Sequence, residues 1–258
     1  MSDASRAEAA ALFIRDAHRA RRRFENLPDA LAPADIDGAY DIQEALHRLL
    51  IPELGPIAGV KIATTTKVMQ ALMGIGHPCG GAIFASRIHQ SPAEIDLAPF
   101  VNLRGECEIA VRLGRDLAGS EVTAAAARAA VEAAAPAFEL IEDRGADYRN
   151  TRAASLIADN AWNAGIVVGE WRPLSDSDEI ENAEGALSYD GAEQGRGRPD
   201  DPFGALAWLA GLSASRGRPL KAGMIVITGS LIPTFTPPKG AEVLFALNGW
   251  GETRMRLR

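Results

Sequence analysis

The stretch Arg104-Gly-Glu-Cys-Glu-Ile-Ala-Val-Arg-Leu113 alternates with a period of two, the signature of a β-strand. Cys107, Ile109, Val111 and Leu113 form one apolar face, and Glu106, Glu108, Ala110 and Arg112 share the other. Two carboxylates side by side on a strand face repel each other unless something positive lies between them. A third carboxylate, Glu139, stands in Ala137-Phe-Glu-Leu-Ile141, a second segment of strand character. Its setting is apolar, and an unpaired charge is costly to bury there. Three hard oxygen donors suit Mg2+ or Mn2+, with positions left open for water or substrate. Glu-x-Glu on a strand also describes the solvated face of an antiparallel sheet, and Glu139 also fits an outward-facing strand position; from spacing alone both readings stand.

The chain has 258 residues and 47% hydrophobic content, enough for one large domain or one domain with a small appendage. Its formal net charge is −7 and its pI about 5.2, which argues against a nucleic-acid partner. The one basic cluster, Arg19 with Arg21, Arg22 and Arg23, reads as the solvated end of a helix, where positive charge suits the dipole. Cys79 and Cys107 lack metal-site spacing and make no disulfide framework. No apolar run has the length of a membrane span, and the N-terminus carries no signal-peptide core, so a cytoplasmic protein without a membrane partner is expected.

Residues 4–24 read as an amphipathic helix with Leu12, Phe13 and Ala17 at helical spacing. A second helix spans about 36–50, with Ala39, Ile42, Leu46 and Leu49 on one face and Pro52 beyond its end. Together they make an N-terminal helical appendage of residues 1–55, followed by a catalytic domain over 56–258. Further helices are expected at 65–72, at the alanine-rich 123–134, and after the cap Asp201-Pro202, carrying Leu206, Trp208, Leu209 and Leu212. Strands are expected at 60–62, 166–168, 187–189, 224–228, 243–247 and 253–257, with Asn248-Gly249 as the turn of the final hairpin. Residues 175–201 are mostly polar and glycine-rich and read as a surface excursion. The order lacks a regular strand-helix alternation, which disfavours a doubly wound parallel sheet.

A series of short segments carries a family resemblance: Gly59-Val-Lys-Ile62 with Lys67-Val-Met-Gln70, Glu106-Cys-Glu108 leading into Val111-Arg-Leu-Gly-Arg-Asp116, and Phe138-Glu-Leu-Ile-Glu-Asp-Arg144. Ala158-Asp-Asn160, Gly165-Ile-Val-Val-Gly169, Trp208-Leu-Ala210, Leu220-Lys-Ala-Gly223 and Thr228-Gly-Ser230 continue it. In this order and spacing the chain resembles the 2-keto-4-pentenoate hydratase and 4-oxalocrotonate decarboxylase group of the fumarylacetoacetate hydrolase superfamily. The resemblance implies an α+β fold, a mixed β-roll or distorted barrel with outer helices. It implies a divalent metal, Mg2+ or Mn2+, on Glu106, Glu108 and Glu139, and a small 2-oxo or 2-hydroxydienoic acid substrate from the degradation of aromatic compounds. It also implies a homo-oligomer, with a decarboxylase or hydratase as a further partner.

By the same resemblance Lys61 is the leading catalytic or supporting group, and otherwise a surface lysine. Ser230, at a strand end, is a candidate for holding the substrate carboxylate through its hydroxyl and a free backbone N–H, and otherwise part of a turn. Glu142 as a catalytic residue and Arg144 as a substrate-binding residue match positions near the family's site, and otherwise form a structural ion pair. The expected activity is hydration of a 2-hydroxydienoate; the alternatives are a 4-oxalocrotonate-type decarboxylase or a non-catalytic subunit that binds keto acid. The four histidines have no metal spacing, and the acidic and histidine-bearing arrangement typical of the superfamily's hydrolases has no counterpart in the sequence, which argues against C–C hydrolysis. Two departures stand out. Cys79 and Gly80 occupy positions where hydratases commonly carry an acidic and then an aromatic residue, and Trp162 stands where small residues are usual.

Overall fold

The alternation along residues 104–113 is realised as the middle strand of the larger of two sheets. The computed structural model describes residues 2–119 and 121–258. Its helices are α1 (Asp3–Arg19), α2 (Ile36–Leu54), α3 (Lys67–Met73), α4 (Ala124–Ala129), α5 (Ala153–Ala158) and α6 (Pro202–Ser215). The strands are β1 (Ile57–Ala63), β2 (Cys79–Phe84), β3 (Ile88–Gln90), β4 (Ala93–Ile95), β5 (Leu103–Leu113), β6 (Val131–Glu142), β7 (Asn163–Val168), β8 (Arg172–Pro173), β9 (Gly185–Tyr189), β10 (Ala192–Gly197), β11 (Ile225–Phe235), β12 (Glu242–Leu247) and β13 (Gly251–Leu257). The larger sheet runs β2-β1-β11-β5-β6-β7-β3 with β8 against β6, and the smaller runs β10-β9-β12-β13-β4. Both are mixed, because β1–β11, β3–β7 and β4–β13 are parallel and the other pairs antiparallel. The fold is α+β with helices outside, and among the described residues neither sheet closes into a barrel.

Both faces of β5 are covered. Cys107, Ile109, Val111 and Leu113 join the main core with Phe138, Leu187, Val243 and Phe245, which ties the two sheets together. Ala110 packs on the opposite face with Ala135, Ala137, Ile166 and Ile227. β11 is the irregular member: its register against β5 shifts between Ile227 and Ser230, again before Ile232, and again before Phe235. Such bulges bend a strand and raise its twist. In the same sheet Lys61 of β1 reaches Glu139 of β6, three strands away.

The structure corrects several expectations. α1 stops at Arg19, Arg21 is left-handed at φ 49°, and Leu12 is exposed. The buried stripe is Ala7, Ala10, Ala11, Ile14 and Ala17, a small-residue face that lets α2 approach closely. α2 passes through Pro52 and ends at Leu54, within one turn beyond the proline, which removes one i to i−4 hydrogen bond from the final turn. Of the alanine-rich segment only Ala124–Ala129 is helical. Residues 131–134 begin β6, because pairing with β5 outweighs alanine's helix propensity. Residues 175–201 are no mere excursion: they contain β9 and β10, and Ile180 and Leu187 are buried. Their polar reading reflects a sheet with one solvated face. The helix after Asp201 and the hairpin at Asn248-Gly249 form as expected, with Asp201 capping Gly204 N at 2.8 Å and Gly249 at φ 78°.

The N-terminal helices are joined to the sheet by buried polar contacts. Gln43 Nε2 donates to Gly80 O at 2.9 Å and Ile157 O at 2.7 Å, and Gly80 N donates to the Tyr40 hydroxyl at 3.1 Å. Among the described residues no helix is long and apolar enough to cross a membrane.

Candidate metal and substrate site

The β5–β6 register places Glu106 directly opposite Glu139, and Glu108 opposite Ala137. Side chains of one parity share a face, so all three carboxylates point the same way. One oxygen of each lies within 4.8 Å of the others. Among the described residues this is the one such group of acidic, histidine or cysteine side chains. Glu108 and Glu139 are fully buried and Glu106 half-buried. Gly229 N donates to Glu108 Oε2 at 2.6 Å, with Gly229 at φ 108°, a conformation that favours glycine. The Thr234 hydroxyl donates to Glu106 Oε1. Glu108 Oε1 and Glu139 Oε2 are buried without any partner.

Such crowding is unfavourable without a cation. Burial, then the neighbouring Glu139, pushes the Glu106 carboxyl up to about 7. Burial, Glu139 and Glu106 together hold Glu108 well above the ordinary carboxylate range. The one positive charge within the cluster is Lys61, which is 2% exposed and places Nζ 3.0 Å from Glu139 Oε1. Burial acts to lower the lysine, but Glu139 and Glu106 outweigh it and the ammonium is favoured. Asn163 Nδ2 donates to the same Glu139 oxygen at 2.9 Å.

Lys61, Glu106, Gly229 and Thr234 line a cavity of about 580 Å³, whose wall also includes Arg104, Tyr148, Trp162 and Ser230, while Glu108 and Glu139 lie buried behind Glu106 and Lys61. Met69, Met73, Ile141 and Leu156 make its apolar side. Ser230 reaches the cavity as expected, but its hydroxyl donates to Ile232 O at 2.6 Å and is left as an acceptor. Glu142 and Arg144 are not brought to the cavity. Glu142 is an odd number of residues from Glu139, so the pleat turns it to the other face. There its oxygens accept from Val101 N, Asn102 N and Arg144 N at 2.8, 3.0 and 2.9 Å. The Arg144 guanidinium pairs with Asp159 Oδ2 at 2.5 Å and lies over the Phe24 ring, so the ion pair it forms is with Asp159 and not with Glu142.

Arg104 is the cavity arginine that sequence reading passed over, although its even spacing from Glu106 puts it on the same face. Its Nη1 donates to Thr236 Oγ1 at 2.9 Å and its Nε lies 3.4 Å from Asp143. Tyr148 donates to Asp143 Oδ2 at 3.2 Å. Trp162 packs edge-on against Phe24 and Tyr148, with ring centroids 5.1 and 5.3 Å away. Cys79 is buried in β2 and accepts from the Thr64 hydroxyl at 3.5 Å; burial pushes its thiol up, so a neutral group stands there. The histidines serve other contacts: His18 meets Asp159 at 2.6 Å, His47 meets Asn160 at 2.8 Å, and His77 bonds Pro78 O.

Residues 81–258 match the family described as fumarylacetoacetate (FAA) hydrolase C-terminal. The chain is 32% identical over 258 residues to a 2-keto-4-pentenoate hydratase of Paraburkholderia phymatum, covering 98% of each. It is 36% identical over 205 residues to a 4-oxalocrotonate decarboxylase of a Pseudomonas species, covering 75% of this chain and 78% of the other. Among solved structures it superposes on the 4-oxalocrotonate decarboxylase of Pseudomonas putida G7, complexed with magnesium and adipate. The TM-score is 0.91, with 22% identity and 98% of both chains covered.

Proposed function

The chain belongs to the fumarylacetoacetate hydrolase family, and from that premise we propose that it is a divalent-metal-dependent hydratase that adds water to a 2-hydroxydienoate arising from aromatic compounds. The observation that carries this reading is the cluster itself. Two buried carboxylate oxygens have no partner, on Glu108 and Glu139, and these two residues cluster with Glu106, which lines the cavity. Buried polar atoms are ordinarily satisfied, so unsatisfied, mutually repelling oxygens fit an ion that they hold together. The all-oxygen set fits Mg2+ or Mn2+.

When bound, the ion supplies Lewis acidity for a 2-oxo acid. The chain's own residues do the rest. The Lys61 ammonium, buried against Glu139 and lining the cavity, would stabilise negative charge developing on the substrate's 2-oxygen, since a fixed charge shielded from water acts strongly. Arg104 offers a cation at the cavity wall for a substrate carboxylate, and Met69, Met73, Ile141 and Leu156 exclude water from the carbon chain. The test is ultraviolet absorbance with freshly generated 2-hydroxypenta-2,4-dienoate. Loss of the dienol band with Mg2+ but not with chelator, and a hydrated keto acid as product, is the expected result. Absence of turnover in a protein that binds the ion would overturn it.

Decarboxylation of an oxalocrotonate-like diacid is the second reading. It is supported by the 36% identical relative and by Arg104, which is able to receive a second carboxylate. Carbon dioxide release from such a diacid, without hydration of the dienoate, would establish it instead.

Proton linkage follows from the same cluster. Burial and Glu139 push the Glu106 carboxyl up to about 7, and burial with Glu139 and Glu106 raises Glu108 well above the ordinary carboxylate range, so the ion displaces protons on binding. Affinity for Mg2+ is expected to fall as pH drops through about 7, with proton release in calorimetry. The stability sign is opposite. Folded-state pKa values above the unfolded ones mean that the metal-free fold loses stability as pH rises from the ordinary carboxylate range through about 7, and the ion restores it. Thermal melts at pH 5 and pH 8, with and without chelator, check both.

A further inference from the structure

Glu139 Oε1 receives two donors, Lys61 Nζ at 3.0 Å and Asn163 Nδ2 at 2.9 Å, whereas Oε2 is buried and has none. A carboxylate on its own turns broadly about its last torsion. Two donors on one oxygen select one orientation, and here that orientation turns Oε2 away from them.

Asn163 comes from an unusual place. It opens β7 directly after Asn160, Ala161 and Trp162, three successive residues with left-handed backbone at φ 53°, 45° and 59°. None is glycine, so the turn is unfavourable by itself and persists only because its surroundings hold it. Asn160 supplies the lock. Its Oδ1 accepts from Ala82 N at 2.7 Å and meets His47 Nε2 at 2.8 Å, and its Nδ2 donates to Ala82 O at 2.9 Å. A Cβ at Gly81 would lie 2.6 Å from Asn160 O, so the close approach of β2 to the turn needs glycine there. The chain therefore runs from α2, through His47 and Asn160, to the side chain that grips Glu139.

We propose that Asn163 is a positioning residue of the metal centre: it orients Glu139 so that Oε2 faces Glu106 and Glu108, and the left-handed turn locked by Asn160 places it there. This rests on the metal-dependent reading above. Asn163 carries no charge, so its removal alters the orientation of the ligand and leaves the cluster's net charge unchanged, which separates its role from that of Lys61. Outer hydrogen bonds of this kind typically change metal affinity by about 10–100-fold.

The experiment is titration of the full-length protein with Mn2+, followed by calorimetry and by electron paramagnetic resonance of the bound ion. Asn163→Leu removes the donor at similar volume, and Asn163→His restores an N–H the same number of bonds from the backbone. The expected result is weakening by about 10–100-fold with an altered resonance in Asn163→Leu, and recovery to within about threefold in Asn163→His. Asn163→Ala carries the same reading if the leucine variant does not fold. Wild-type protein that binds no Mn2+ would overturn the metal-dependent reading itself. Wild type that binds it, with Asn163→Leu binding equally, would overturn the positioning role alone. So would equal loss in the leucine and histidine variants at unchanged melting temperature, because packing would then be the cause.

Discussion

Glu108→Gln is expected to fold at least as stably as the wild type without metal, and to lose both metal binding and turnover. Glu108 is fully buried, it forms no ion pair, and its Oε1 has no partner. An amide oxygen still accepts the Gly229 N–H now given to Oε2. Removing one negative charge relieves the repulsion that raises Glu106 and Glu108, so the metal-free melting temperature should rise. The same change removes a charged donor from the three-carboxylate set. Lewis-acid stabilisation of developing charge is worth several kcal/mol, so kcat/KM should fall by about 10³-fold or more. Paired melts with and without chelator, beside the dienoate assay, read both effects. Undiminished turnover would sink the metal-dependent mechanism, and a lower metal-free melting temperature would sink the account of the cluster as repulsive.

Lys61→Met should show the converse, a large loss of metal-free stability together with a loss of rate. Lys61 and Glu139 are 2% and 0% exposed and stand 3.0 Å apart. Removing one member of a buried pair leaves the other charge uncompensated, at a cost of about 3–5 kcal/mol. The methionine fills much of the volume, so the loss is electrostatic and not a cavity effect. An ion bound at the neighbouring oxygens would offset part of it, so the penalty in urea unfolding should be smaller with saturating Mg2+ than with chelator. The rate should fall by about 10²–10⁴-fold through loss of the ammonium that stabilises developing charge. A variant as stable as the wild type in chelator would show that Lys61 does not neutralise Glu139.

Glu106, Glu108 and Glu139 were legible because their signal is local. Strand alternation puts Glu106 and Glu108 on one face, and an apolar frame marks Glu139 as a carboxylate that needs a partner. The same parity argument, applied further, would have found Arg104 and would have turned Glu142 away from the cavity. Lys61 was legible only through resemblance, since a lysine on a short strand is ordinarily exposed. Its contact with Glu139 spans β1 to β6, three strands apart in the sheet, and that strand order has no pattern in the residues. The alanines of 131–134 misled for a related reason: their helix propensity is intrinsic, whereas their strand conformation comes from β5 and β8 on either side.

By itself the sequence determined that Glu106 and Glu108 share a strand face, that a capped helix follows Asp201 and that a hairpin ends the chain, because each depends on residues close together along the chain; the α+β class and the metal role of the glutamates came through the family resemblance. Only the tertiary structure decided that Asn163 grips Glu139, that Trp162 forms a wall of the cavity, and that Arg144 pairs with Asp159. The first two depend on a left-handed turn at three residues that carry no glycine. Such a backbone has no local preference to betray it, and it exists because His47 from one helix and Ala82 from one strand hold Asn160 in place.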